Sequence, residues 1–205
     1  MKIRVPMFPL GMVMFPFTAV PLRVFEPRYQ ALLDNVLEGD RKFGITLIER
    51  GSEVGGGEDR FAVGTLVRVS GVADLEEGHR AMVVAGIERI NVVKWLDDDP
   101  HPWAEVIPAP DEQVEDVGEL LGEARRQLER VMALASELGA DTAEVDLEVA
   151  DDPVIGSFQI AALSPVTALD AQKLLEAGDA RQRLELVIGF LAERVEILKA
   201  RLAEG

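Results

Sequence analysis

The sequence predicts an α+β chain, with a β-rich unit carrying one helix over residues 1–110 and a helical bundle over 111–205. Three observations carry that expectation. Nine of the eleven aromatic residues and nine of the eleven prolines precede residue 111. Charge divides as unevenly, with 12 basic and 16 acidic residues in the first part against 9 and 21 in the second. At the seam, Ile107-Pro108-Ala109-Pro110-Asp111 sets two prolines that force extended backbone before releasing it.

Taken in order, the first element is a charge-free stretch of eighteen residues, Val5 to Leu22, preceded by Lys2 and Arg4. It has the outline of a signal peptide or membrane span. Pro6, Pro9, Pro16 and Pro21 exclude a helix there, because each deletes a backbone donor and clashes one turn back. The expectation is extended, partly buried chain, with two proline-punctuated strands on either side of Gly11–Phe17. A helix follows over 27–38: Pro27 suits its first turn, Tyr29, Leu32, Leu33, Val36 and Leu37 form an apolar stripe, and Gly39 stops it. Phe43–Ile48, Phe61–Val69 and Ala81–Leu96 are rich in β-branched and aromatic residues and read as strands, punctuated by glycines. Short strands without a regular βα alternation favour a small barrel or sandwich.

The second part reads as helix almost throughout 113–203. Val117, Leu121, Ala124, Leu128, Val131, Ala135 and Leu138 step by three and four, the mark of one buried helical face. Asp152-Pro153 gives an N-cap and first-turn proline, Ser164-Pro165 repeats that signal, and Asp179 caps a last helix. In that last helix Leu184, Ile188, Leu191, Val195, Leu198 and Leu202 form a seam of heptad spacing. It would pack on the 117–138 helix or, alternatively, pair with a second copy.

Composition and motifs exclude much chemistry. The net charge is −16 and there is no cysteine, so disulfide frameworks, thiol catalysis and cysteine-ligated metals are out. The same charge disfavours nucleic acid and anionic membranes as partners, and the expected location is the cytoplasm. None of Ser52, Ser70, Ser136, Ser157 and Ser164 lies in a nucleophile-elbow setting. His79 and His101 have no metal-ligand spacing. Gly55-Gly56-Gly57 is followed by Glu58 and Asp59 rather than lysine and a hydroxyl, so it reads as a hairpin tip and not a phosphate loop. The acidic run Asp141–Asp152 lacks the central glycine of a calcium loop and reads as a solvated connection. No catalytic residue, cofactor or metal ligand is therefore assigned. The segment that could bind a partner is Gly11–Phe17, where Met12, Met14, Phe15 and Phe17 offer flexible and aromatic apolar groups.

Several strings, in order, carry a resemblance. Pro6-Met-Phe-Pro-Leu10, Phe15-Pro16, Pro21-Leu22 and Phe25-Glu-Pro-Arg-Tyr29 resemble the opening of the Lon protease N-terminal domain. Phe43-Gly44, Gly51-Ser52-Glu53, Val63-Gly-Thr65, Gly86-Ile-Glu-Arg89, Gln172-Lys-Leu-Leu-Glu176 and Arg183-Leu184 continue it. The resemblance implies a PUA-like pseudo-barrel followed by a helical bundle that engages unfolded or partly folded polypeptide. It also implies a protease or ATPase partner, since no ATPase or protease motif is found in these residues. The implied fold is similar to RNA-binding domains of pseudouridine synthases, but the first part is itself net acidic, against what RNA requires. The expected function is thus a non-enzymatic polypeptide-binding module, an adaptor or modulator of proteolysis. A small-ligand protein using a cleft between the parts is the alternative, and an unrecognised hydrolase the third reading. The acidic second half is expected to favour basic segments of a bound chain.

Overall fold

The computed structural model describes residues 1–50, 59–140 and 149–204. The hairpin tip at Gly55–Gly57 and most of the acidic run, 141–148, lie outside the described residues. The chain divides into two compact units, Met1–Pro110 and Asp111–Gly205.

The first unit contains β1 (Ile3–Leu10), β2 (Ala19–Val24), α1 (Pro27–Glu38), β3 (Lys42–Arg50), β4 (Asp59–Asp74), β5 (Arg80–Trp95) and β6 (Trp103–Pro108). The strands run in the order β2-β5-β4-β3-β1-β6, and β5 also pairs with β6. Five strands therefore close into a barrel, and β2 is appended to β5. All pairs are antiparallel except β1 with β3, which α1 and β2 separate in sequence. Register shifts in β4 and β5 at Leu66/Val67, Val69/Gly71 and Val92/Lys94 supply the local bends that closure needs.

The barrel explains the first part of the charge-free opening, residues 5–10. Val5 and Met7 of β1 enter one core cluster with Leu66, Ile90, Ala104 and Val106. Phe8 and Leu10 enter another, with Tyr29, Leu32, Leu33 and Val36 of α1 and Phe43, Val67, Met82 and Val84 of the sheet. A strand buried on both faces has no position at which a charge could be solvated. No described helix is long and apolar enough to cross a membrane.

The second unit contains α2 (Gly118–Glu137), α3 (Pro153–Leu163), α4 (Ala168–Glu176) and α5 (Ala180–Glu204). Leu121, Ala124, Leu128 and Val131 of α2 are buried, and α2 packs along α5. On α5, Leu184, Leu191, Val195 and Leu198 are also buried within the unit. Four of the six residues of that seam are thus buried within one chain, while Ile188 and Leu202 are half-buried. The Asp152 carboxylate caps α3 by accepting from the Val154 and Ile155 amides, and Asp179 accepts from the Gln182 amide at the start of α5. The expected cap at Ser164 is corrected: its hydroxyl donates to the Ile160 carbonyl at the end of α3, and Thr167 caps α4.

A buried ion pair organises this unit. Arg183, fully buried, donates to both Asp111 oxygens at 2.8 Å, to the Ser157 hydroxyl at 2.8 Å and to the Leu174 carbonyl at 3.1 Å. Its guanidinium lies 3.4 Å from the centre of the Phe158 ring. One side chain thus joins the residue after the seam, α3, the end of α4 and the start of α5. Removing one partner strands the other charge in a dry interior. Asp111→Ala should destabilise the second unit by about 3–5 kcal/mol in urea denaturation; a loss below about 1 kcal/mol, typical of an exposed pair, would refute this role.

Candidate functional site

The candidate site is the segment joining β1 to β2, residues 11–18. Its middle is tied down by groups distant in sequence. The Thr65 hydroxyl of β4 donates to the Met14 carbonyl, and the Thr18 hydroxyl donates to the Phe15 carbonyl at 2.7 Å. The Phe17 amide donates to the Gly86 carbonyl at 3.0 Å, and the Gly86 amide donates to the Thr18 carbonyl at 2.9 Å. Gly86 is needed for that approach: a Cβ there would collide with the Phe15 carbonyl.

This anchoring separates the four apolar residues singled out from sequence. Met14 and Phe15 are 2% and 4% exposed and belong to the core. Met12 and Phe17 are each 42% exposed. Of the four residues expected to make contact, the outer two are thus open to solvent and the inner pair is buried. Phe17 has φ of +60°, in the left-handed region that an aromatic residue adopts at a cost of about 1 kcal/mol. The two Gly86 hydrogen bonds hold it there.

The sequence reading missed Phe25, which is 50% exposed at the far end of β2. It lies just outside the N-cap of α1, where an apolar residue commonly packs on the fourth helical position. That position is Gln30, so the staple has no apolar partner; this was the available signal. The Phe25 ring stands edge-on to His79 at 6.2 Å, and with Phe8, Leu10, Arg23, Glu26 and Tyr29 it lines a recess of about 40 Å³. Glu26 accepts from Arg28 Nε at 3.1 Å, and Arg28 lies 4.4 Å from the Tyr29 ring centre.

Between Phe17 and Phe25 the solvent face of the sheet carries small apolar residues. Ala19 pairs with Ala85, Pro21 with Val83 and Arg23 with Ala81. Ala19, Pro21 and Val83 are exposed. Pro21 suits an edge strand, since β2 pairs only with β5 among the described strands.

The site offers apolar area, a strand edge and guanidinium groups. Among the described residues no group of three or more His, Asp or Glu is placed to hold a metal ion. His101 is buried, and its Nδ1 faces the Pro102 carbonyl at 3.2 Å while its ring stacks on Trp103. Burial holds its pKa below the ordinary 6.5, which favours a neutral, structural imidazole.

With this geometry established, comparison with known proteins is informative. The family described as the ATP-dependent protease La (LON) substrate-binding domain matches residues 4–193. Lon protease 2 of Sorangium cellulosum is 30% identical, over 96% of this chain and 25% of its own length. Lon protease of Escherichia coli K12 is 27% identical, over 97% of this chain and 26% of its own. The chain thus spans about a quarter of the curated relatives. A Lon N-terminal domain protein from Xanthomonas campestris superposes with a TM-score of 0.67 at 25% identity, covering 91% of this chain and 98% of that one. The N-terminal domain of Mycobacterium avium complex Lon protease gives the same TM-score at 18% identity, covering 92% and 98%, and supports the fold alone. The chain belongs to the family of Lon substrate-binding domains.

Proposed function

We propose that this chain is a non-catalytic polypeptide-binding module that presents unfolded or partly folded chains to a proteolytic partner, as an adaptor or modulator. The observation that carries the reading is the split exposure of residues 11–18: Met12 and Phe17 face solvent while Met14 and Phe15 are buried. A surface that must accept varied sequences gains from apolar contact, worth roughly 25 cal/mol per Å² buried, and from a flexible thioether that adapts to its partner. The anchors add preorganisation. Phe17 is held exposed before a ligand arrives, so little ordering cost remains on binding. The family described as a substrate-binding domain supports the same reading. The longer relatives are named as proteases and the family description as part of an ATP-dependent one; for this chain proteolysis and ATP hydrolysis are proposed as a partner's work.

The test is binding of a labelled, permanently unfolded polypeptide to the full chain, followed by fluorescence anisotropy. Saturable binding is expected, and Met12→Ser with Phe17→Ser should weaken it by about tenfold or more, equivalent to about 1.4 kcal/mol. Unchanged affinity in a variant that keeps the native circular dichroism would contradict the proposed contact. Gly86→Ala touches neither contact side chain, yet it should lower stability by about 1–3 kcal/mol and weaken binding, because the Phe15 carbonyl must move. A Gly86→Ala protein as stable as the parent would show that the loop is not held in this way.

A further inference from the structure

The solvent face of the β2-β5-β4 layer carries a charge pattern at odds with the rest of the molecule. Three cross-strand rows make it up: Ala19–Ala85–Arg68, Pro21–Val83–Gly71 and Arg23–Ala81–Ala73. No carboxylate occurs in these nine positions, in a chain with 37 acidic residues against 21 basic ones. Arg23 and Arg68 stand at opposite corners, both exposed. Three other arginines of this unit are held in ion pairs: Arg28 with Glu26, Arg60 with Asp98 and Arg80 with Asp34. Lys42, opposite Arg68 on β3, is 3.7 Å from Asp40. Arg23 and Arg68 make no ion pair among the described residues. Two exposed guanidinium groups thus flank a strip of Ala, Pro, Val and Gly that continues to Phe17.

We infer that this face selects, among polypeptides, extended segments in which acidic residues flank a short apolar run. The inference rests on the polypeptide-binding reading above and specifies its substrate class. The spacing follows from sheet geometry. Arg23 and Arg68 are two strands apart and four residues apart along the strands, so their Cα atoms lie roughly 16 Å from each other. An extended chain covers that distance in about five residues. A carboxylate at each end would meet a guanidinium as a charge-assisted, bidentate pair, while the residues between lie on the apolar strip.

Two electric effects compete here. The net charge of −16 repels an acidic segment at long range, and by itself would favour basic ones. At physiological salt, charges beyond about 8 Å are largely screened, whereas a pair in contact is not. The local arginines therefore decide selectivity, and the distant carboxylates mainly slow encounter. The narrow apolar strip between them also distinguishes the face from a nucleic-acid site, which needs a continuous row of cations along a phosphate backbone.

The experiment compares three labelled peptides sharing one apolar core, flanked at a five-residue separation by Glu, Lys or Ala. Binding to the full chain is read by anisotropy at physiological salt. The Glu-flanked peptide should bind about tenfold more tightly than the Lys-flanked one, a difference of about 1.4 kcal/mol. Arg23→Gln with Arg68→Gln should abolish the difference, and Arg23→Glu with Arg68→Glu should reverse it. Both arginines are exposed and outside the core, and a thermal melt verifies that each variant is folded. Equal binding of all three peptides, or a Glu preference that survives the arginine variants, overturns this inference while leaving polypeptide binding intact. Binding of none of them, together with no binding of an unfolded protein, would instead overturn the underlying reading. A single-stranded RNA of similar length that binds more tightly than the Glu-flanked peptide would also overturn it, in favour of a nucleic-acid face.

Discussion

The first unit depends on one strand serving three neighbours. β5 pairs with β2 through residues 80–85, with β6 through 90–95, and with β4 along most of its length. A barrel that also carries an appended strand must part somewhere, and β5 parts between residues 85 and 90. The 11–18 segment docks at that point, through Gly86. Arg89, in the same interval, donates to the Ala109 carbonyl at 2.8 Å and so fastens the end of the unit to the parting. The exposed Met12 and Phe17 are thus a consequence of how the barrel closes. The core has room for the middle of the segment but not for its ends.

That dependence explains which features were legible in the sequence. The helices could be read because a 3.6-residue period is local, and the Leu121–Val131 stripe of α2 and the Tyr29–Val36 stripe of α1 are both core faces. β3, β4 and β5 were legible from their β-branched runs. β6 was not: its buried Ala104 and Val106 sit among Pro102, Pro108 and Pro110, whose punctuation masks a short alternation. Ser164-Pro165 carries the same signal as Asp152-Pro153, yet only the second starts a helix. Thr167 and Asp170 win, because the Thr167 hydroxyl accepts from the Asp170 amide and donates to its carboxylate at 2.7 Å. The Arg183–Asp111 pair was illegible, since nothing local marks a charge whose partner is 72 residues away as buried.

The site was half legible for the same reason. Two methionines and two phenylalanines in seven residues announce contact potential, but their division into buried middle and exposed ends is set by Thr65 and Gly86, which lie 51 and 69 or more positions away. Charge behaves similarly. The totals by half suggest a molecule that prefers basic partners, while strand register gathers Arg23 and Arg68 into nine cross-strand positions that hold no carboxylate. Net charge describes the far field; register decides what a bound chain touches.

The central claim is that a rigid loop at the β5 parting presents Phe17 to a bound polypeptide, and amide hydrogen exchange tests it most directly. In the free protein, the Phe17 and Gly86 amides should exchange slowly, as hydrogen-bonded groups do. On addition of a saturating unfolded polypeptide, further protection should concentrate in residues 17–23 and 81–86 and spare 118–204. Rapid exchange at Phe17 and Gly86 in the free chain, or protection confined to the helical unit, would contradict the account.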